Sequence, residues 1–180
     1  MRALVLLPRI PVPARDGGAI VMLETLRALH DAGDEVHVIA LNTKKHHADP
    51  ALLGTVATSV TAIDVDTSVT PIGAVRALLR PRLPHAFGLA VHGSYWVSRF
   101  ASPAMLEAVE HAVLTQHVDA IICESLFTAC YGAAIRQRHT TAPPVILHAH
   151  NVEHRIQERL ASDPLRSAPQ RWYRTILARQ

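Results

Sequence analysis

Ala3-Leu4-Val5-Leu6-Leu7 is apolar at every position, and Asp119-Ala120-Ile121-Ile122-Cys123 and Val145-Ile146-Leu147 repeat the pattern further along the chain. A strand with one wet face alternates apolar and polar residues, whereas a strand covered on both faces of a parallel sheet has no reason to. Helical stripes lie between these runs. Strands alternating with helices predict an α/β chain with a Rossmann-like, doubly wound, mostly parallel sheet, and right-handed crossovers follow from the twist of the strands.

The punctuation supports that order. Asp16-Gly17-Gly18 precedes a stripe of Met22, Leu23, Leu26 and Leu29, and Gly33 closes it as a helix stop. Residues 36–41 then form a second strand and 60–65 a third, with a short helix expected over 71–79. Ser102-Pro103 pairs a cap with a first-turn proline ahead of Leu106, Val109 and Val113. A helix over 126–138, a strand over 144–148, and a last helix opened by Asp163-Pro164 complete the pattern. We divide the chain into one Rossmann-like domain over 1–163 and a helix over 164–180 leading away from it.

With 180 residues, 49% of them hydrophobic and only 18% charged, the chain can bury one sizeable core. The net charge of +3 is spread over scattered arginines with few interleaved aromatics, which argues against a nucleic-acid partner. A small anionic ligand, or peripheral contact with a membrane surface, suits the charge as well. Cys123 and Cys130 fall in a strand and the helix after it, so a reduced, cytoplasmic setting is expected. No apolar run approaches the ~18 residues of a spanning helix.

In a doubly wound sheet, ligands collect at the carboxyl ends of the strands. Pro8, Asn42, Glu124 and His150 all fall there. The Asp16-Gly17-Gly18 turn can bring backbone N–H groups close to an anionic or hydroxyl-rich ligand, or it can be a tight turn with Asp16 as cap. Glu124-Ser125 can meet a substrate hydroxyl or cap the next helix. Lys44-Lys45-His46-His47 has the composition of a solvated turn. His148-Ala149-His150-Asn151-Val152-Glu153-His154 comes close to a zinc-hydrolase ligand pattern, one residue too long, while Asn151 would serve equally as a helix cap. Neither a nucleophile elbow nor a phosphate-binding P-loop is present.

Leu7-Pro8 through Pro11-Val12-Pro13, Asp16-Gly17-Gly18, Leu41-Asn42-Thr43-Lys44-Lys45-His46, Ser98-Arg99-Phe100 and His150-Asn151-Val152-Glu153-His154 together resemble the N-terminal half of bacterial family 4 retaining glycosyltransferases. The resemblance implies one half of a GT-B fold, two Rossmann-like domains across a cleft. It also implies metal-independent transfer, with no resident cofactor, from a nucleotide-sugar donor to a glycan or lipid-linked acceptor. By the same resemblance His150 faces the transferred sugar, while Asp16, Gly17, Gly18, Glu124 and Asn151 contact substrate. A common family variant carries arginine three residues after the second glycine, where this chain has Val21. The resemblance further implies a C-terminal donor-binding domain outside this sequence, without which the chain should not turn over and its open cleft face should favour self-association. Two alternatives stand beside it: a non-catalytic binding or assembly module of the same fold, and a metal-dependent hydrolase centred on His148, His150 and His154.

Overall fold

The computed structural model describes residues 1–70 and 95–178. Its strands are β1 (Arg2–Leu7), β2 (Glu35–Thr43), β3 (Ser59–Val65), β4 (Ala120–Glu124) and β5 (Val145–His148). They form one parallel sheet in the order β3-β2-β1-β4-β5. The helices are α1 (Gly17–Asp31), α2 (Pro103–Thr115), α3 (Leu126–Arg138), α4 (Glu153–Ala161) and α5 (Ala168–Ala178), with a single helical turn at Tyr95–Ser98. The helix expected over 71–79 lies outside the described residues. None of the described helices is long and apolar enough to cross a membrane.

β1 sits in the middle and is wet on neither face, which is why its sequence does not alternate. Leu4 and Leu6 point to a core completed by Met105, Leu106, Val109, Tyr131 and Ile135 from α2 and α3. Ala3, Val5 and Leu7 point to the opposite core with Met22 and Leu26 of α1. Successive strand side chains alternate between faces, so one uninterrupted apolar run builds both layers. Cys123 and Cys130 are free and buried in this packing, and burial pushes their thiols up to about 12 and about 11. Gly132 of α3 is required by close approach to the sheet: an added methyl would lie 2.5 Å from Val145 Cγ1 and 3.0 Å from Cys123 Sγ. Tyr131, fully buried, accepts the Ser102 N–H at 2.8 Å and donates to the Phe100 carbonyl, tying α3 to the start of α2.

The caps expected at Asp16 and Ser102 are present, with Asp16 accepting from the Ala19 N–H at 3.0 Å and Ser102 from that of Met105 at 3.4 Å. Gly33 adopts φ +80 just past the end of α1, the conformation that suits a glycine at a helix stop. Two local expectations change. Asp163-Pro164 does not open the last helix: Asp163 accepts from the Leu165 N–H at 3.0 Å, forming a turn, and α5 begins at Ala168. Asn151 does not cap α4, since Val152 occupies the cap position and has no side-chain cap bond.

Candidate functional site

The sheet order reverses direction between β1 and β4, because the chain winds outward from β1 through β2 and β3 and then returns to the other side of β1. Loops leaving the two strands part at such a point and open a crevice. On the β4 side, Glu124 is the last residue of its strand and lies in register beside His148, the last residue of β5.

Glu124 is fully buried, and both its carboxylate oxygens are taken by imidazoles. His148 donates from Nδ1 to Oε1 at 3.0 Å, and His150 donates from Nε2 to Oε2. The two rings stand edge to face with centroids 5.0 Å apart. His150 is itself 8% exposed at its side chain against 45% for His148, so the ring that the strand end carries furthest is the better held. Thr25 Oγ1 of α1 lies 3.4 Å from His148 Nδ1. A buried carboxylate gripping two imidazoles costs desolvation, which the paired charge-assisted bonds offset, and it fixes which ring nitrogen is turned outward. For His150 that nitrogen is Nδ1.

What His150 faces is the glycine turn. A methyl built on Gly18 would lie 4.0 Å from His150 Nδ1, 3.7 Å from Arg9 Nη2 and 3.4 Å from Asp16 Oδ1, while one on Gly17 would meet nothing within 4 Å. At Gly18 an imidazole, a guanidinium and a carboxylate thus converge to within van der Waals contact of a single carbon, while Gly17 faces open space. Asp16 is ion-paired with Arg9. The Arg9 bond and the Ala19 N–H hold the Asp16 carboxyl below its ordinary value, with His46 adding a smaller pull. Arg9 Nη1 also lies 3.3 Å from His46 Nδ1, and burial followed by the Arg9 charge lowers the His46 imidazole.

Beyond Arg9 a cleft of about 570 Å³ opens at the carboxyl ends of β1 and β2, floored by Thr43 and walled by Lys44, Lys45, Trp96, Phe100 and Phe127. Phe100 and Phe127 stack at 4.4 Å, and the Arg99 guanidinium lies 4.3 Å over the Trp96 ring. Asn42, buried at the end of β2, braces the turn that follows by donating to Asp64 at 3.0 Å and accepting from the Ala48 N–H at 3.1 Å.

The structure thus brings Asp16, Gly18, Glu124 and His150 to one crevice, with Gly17 beside them. Ser125, not Glu124, caps α3, accepting from the Phe127 N–H at 3.3 Å. Glu124 is closed off from direct contact and acts outward only through the two histidines. Asn151 is exposed and pairs with Glu153, whose carboxyl is raised by burial and pulled back in part by that bond. His154 is exposed on α4 and stands apart from the cluster. Among the described residues the set able to hold an ion is instead Glu124, His148 and His150, whose ligand atoms lie within 4.8 Å of one another. Sequence reasoning passed over Arg9, Thr43 and Trp96. Arg9, two residues past β1, and Thr43, the last residue of β2, carry the strand-end signal, whereas Trp96 carries none.

Ser125 adopts φ 109, ψ 165, a region nearly reserved for glycine. Its N–H lies within bonding distance of the Cys123 carbonyl at 3.0 Å and that of His148 at 3.1 Å. Strain is thus held at the joint that sets Glu124 against β5.

Comparison of the chain with protein-family models and with curated proteins finds no match in either.

Proposed function

We propose that this chain is the acceptor-side domain of a retaining glycosyltransferase of GT-B architecture, moving a sugar from a nucleotide-sugar donor to a glycan or lipid-linked acceptor. The observation that carries the reading is the approach of His150 Nδ1 to Gly18, beside a Gly17 that faces open space, at the point where the sheet reverses. With Nε2 committed to Glu124, Nδ1 is left to accept from a hydroxyl of the transferred sugar. The glycine turn admits the sugar and the departing diphosphate without a side chain intervening, and its exposed backbone at the start of α1 suits negative charge.

In this mechanism the acceptor hydroxyl attacks from the face that the nucleotide leaves, and the domain contributes position more than proton transfer. Burial of Glu124 pre-organises the imidazole before substrate arrives, so little reorganisation remains for the transition state. The test is transfer by the whole reading frame across a panel of nucleotide sugars. Turnover with one of them is expected; inactivity with all, together with activity on an unrelated substrate, overturns the proposal.

One observation favours a second reading. The three ligand atoms of Glu124, His148 and His150 match the number that an open metal site draws from protein. Under that reading the imidazoles turn from the carboxylate to an ion, and the chemistry is metal-assisted hydrolysis. Stoichiometric zinc or iron in protein purified without a histidine tag would displace the transferase proposal; absence of metal, with transfer intact, removes the second reading.

A further inference from the structure

Arg9 follows β1 at the point where the sheet reverses, and its guanidinium is only partly used. Its side chain is 18% exposed and lines the cleft, whereas Asp16, its one carboxylate partner among the described residues, is 50% exposed. A guanidinium carries five N–H donors in a rigid plane. Asp16 accepts from Nη2, and His46 Nδ1 lies 3.3 Å from Nη1. Burial and the Arg9 charge lower the His46 imidazole, so at neutral pH that ring is an acceptor and adds no second cation. Arg9 Nη2 and the outward His150 Nδ1 lie 3.7 and 4.0 Å from one point beside Gly18. A hydroxyl of a bound sugar and the phosphate on its anomeric carbon stand about as far apart as the ring is wide, so a ligand that meets His150 with the one carries the other toward Arg9. Asp16 occupies the place that a phosphate oxygen would take, because carboxylate and phosphate are alternative acceptors for the same planar fork. Half in water, that carboxylate is cheap to displace.

Resting on the transferase reading, we propose that Asp16 holds Arg9 in reserve and yields it to the diphosphate of the donor, so that Arg9 is the cation this domain sets against the leaving group. The bond from the anomeric carbon to the phosphate oxygen breaks with its electron pair staying on that oxygen. The acceptor oxygen bonds the same carbon from the same face, and its proton passes to the departing phosphate oxygen. Charge grows on that oxygen as the bond breaks, so a guanidinium there acts more strongly on the transition state than on the bound donor. Before the donor arrives, the pair with Asp16 spares a mostly buried cation from standing alone. The Ala19 N–H remains for Asp16 after the exchange, so α1 stays capped while the guanidinium changes partner.

Titration calorimetry on the full chain, with inorganic pyrophosphate as the probe, tests the exchange. The wild type is expected to bind it, and Arg9→Gln to bind it about tenfold more weakly, the loss that follows when a hydrogen bond to a charged group is removed. Asp16→Asn, which keeps the cap, should bind it about threefold more tightly, since the competing carboxylate is gone; a misfolded protein would not show such a gain. In Arg9→Gln/Asp16→Asn the gain should vanish, because no guanidinium is left to release. A gain that persists at full size in the double variant assigns the effect to net charge and overturns the proposal. So does Arg9→Gln that binds as the wild type does, and so does a wild type that binds no pyrophosphate. In full-length protein that transfers a sugar, Arg9→Gln should lower kcat by about tenfold and leave the KM for acceptor unchanged, with partial recovery in Arg9→Lys. Pyrophosphate binding with this dependence, in a protein that transfers from no nucleotide sugar, sinks the transferase reading and leaves the exchange standing. Transfer that is indifferent to Arg9→Gln sinks this inference alone.

Discussion

Two carboxylates stand at the same edge of the sheet and do different work. Glu124 is fully buried and gives both oxygens to imidazoles; Asp16, half exposed, shares itself between a guanidinium and the Ala19 N–H of α1. The buried carboxylate has no alternative to its two partners, so it orders them. The exposed one has water as an alternative, so its pairing is cheap to form and cheap to lose. The rigid half of the crevice therefore lies on the β4–β5 side, and the adaptable half lies on the β1–β2 side, where the cleft opens.

Removing Glu124 should break this contrast most severely. Glu124→Ala leaves the His150 Nε2–H buried without its acceptor, and we expect a loss of about 2 to 3 kcal/mol, the upper part of the range for a hydrogen bond to a charged group. Denaturant midpoints measure it; a loss no larger than that of Asp16→Ala would mean that Glu124 is not the rigid member.

Next comes the joint beside it. Ser125→Gly relieves the strained φ and gives up a cap that glycine replaces well, so stability should rise by about 1 kcal/mol after the extra freedom of glycine in the unfolded chain is counted. A lower midpoint would show that the Ser125 side chain contributes more than its backbone costs.

The smallest effect belongs to Asp16. Its carboxyl is held below the ordinary 3.8, so its contribution is present above that value and lost as pH falls through the lower folded value. Asp16→Asn keeps a good cap and removes the charge, so it isolates the Arg9 pair. We expect wild type and variant to differ by less than about 1 kcal/mol at neutral pH and to converge in acid. Melting curves across that range check the sign, since a gap that widens in acid contradicts it.

Much of this layout was legible in the sequence because burial on both faces leaves a mark. β1 lacks alternation since Leu4 and Leu6 serve one core while Val5 and Leu7 serve the other. The same signal says nothing about position in the sheet. Val145-Ile146-Leu147 reads as a covered strand, yet β5 pairs only with β4 among the described residues, and Ile146 and Leu147 are about half exposed. Asp163 misled because an aspartate ahead of proline suits a turn as well as a helix cap. The strand-end rule put Glu124 and His150 at one edge. That their side chains interlock was not legible, since the bond joins the ends of two strands whose register no local pattern encodes. The lysine-rich turn after β2 is exposed, as its composition implies, but its place beside Thr43 and Trp96 depends on contacts distant in sequence.

The central claim is that Glu124 holds His150 so that Nδ1 meets the transferred sugar. Turnover of the full-length protein with whichever nucleotide sugar supports transfer under the proposed function, compared between His150→Ala and His148→Ala, tests it most directly. We predict a fall of about tenfold to a thousandfold for His150→Ala, equivalent to ~1.4 to 4 kcal/mol of lost transition-state contact, and a smaller fall for His148→Ala. Unchanged turnover in His150→Ala, in protein that melts as the wild type does, would contradict the account.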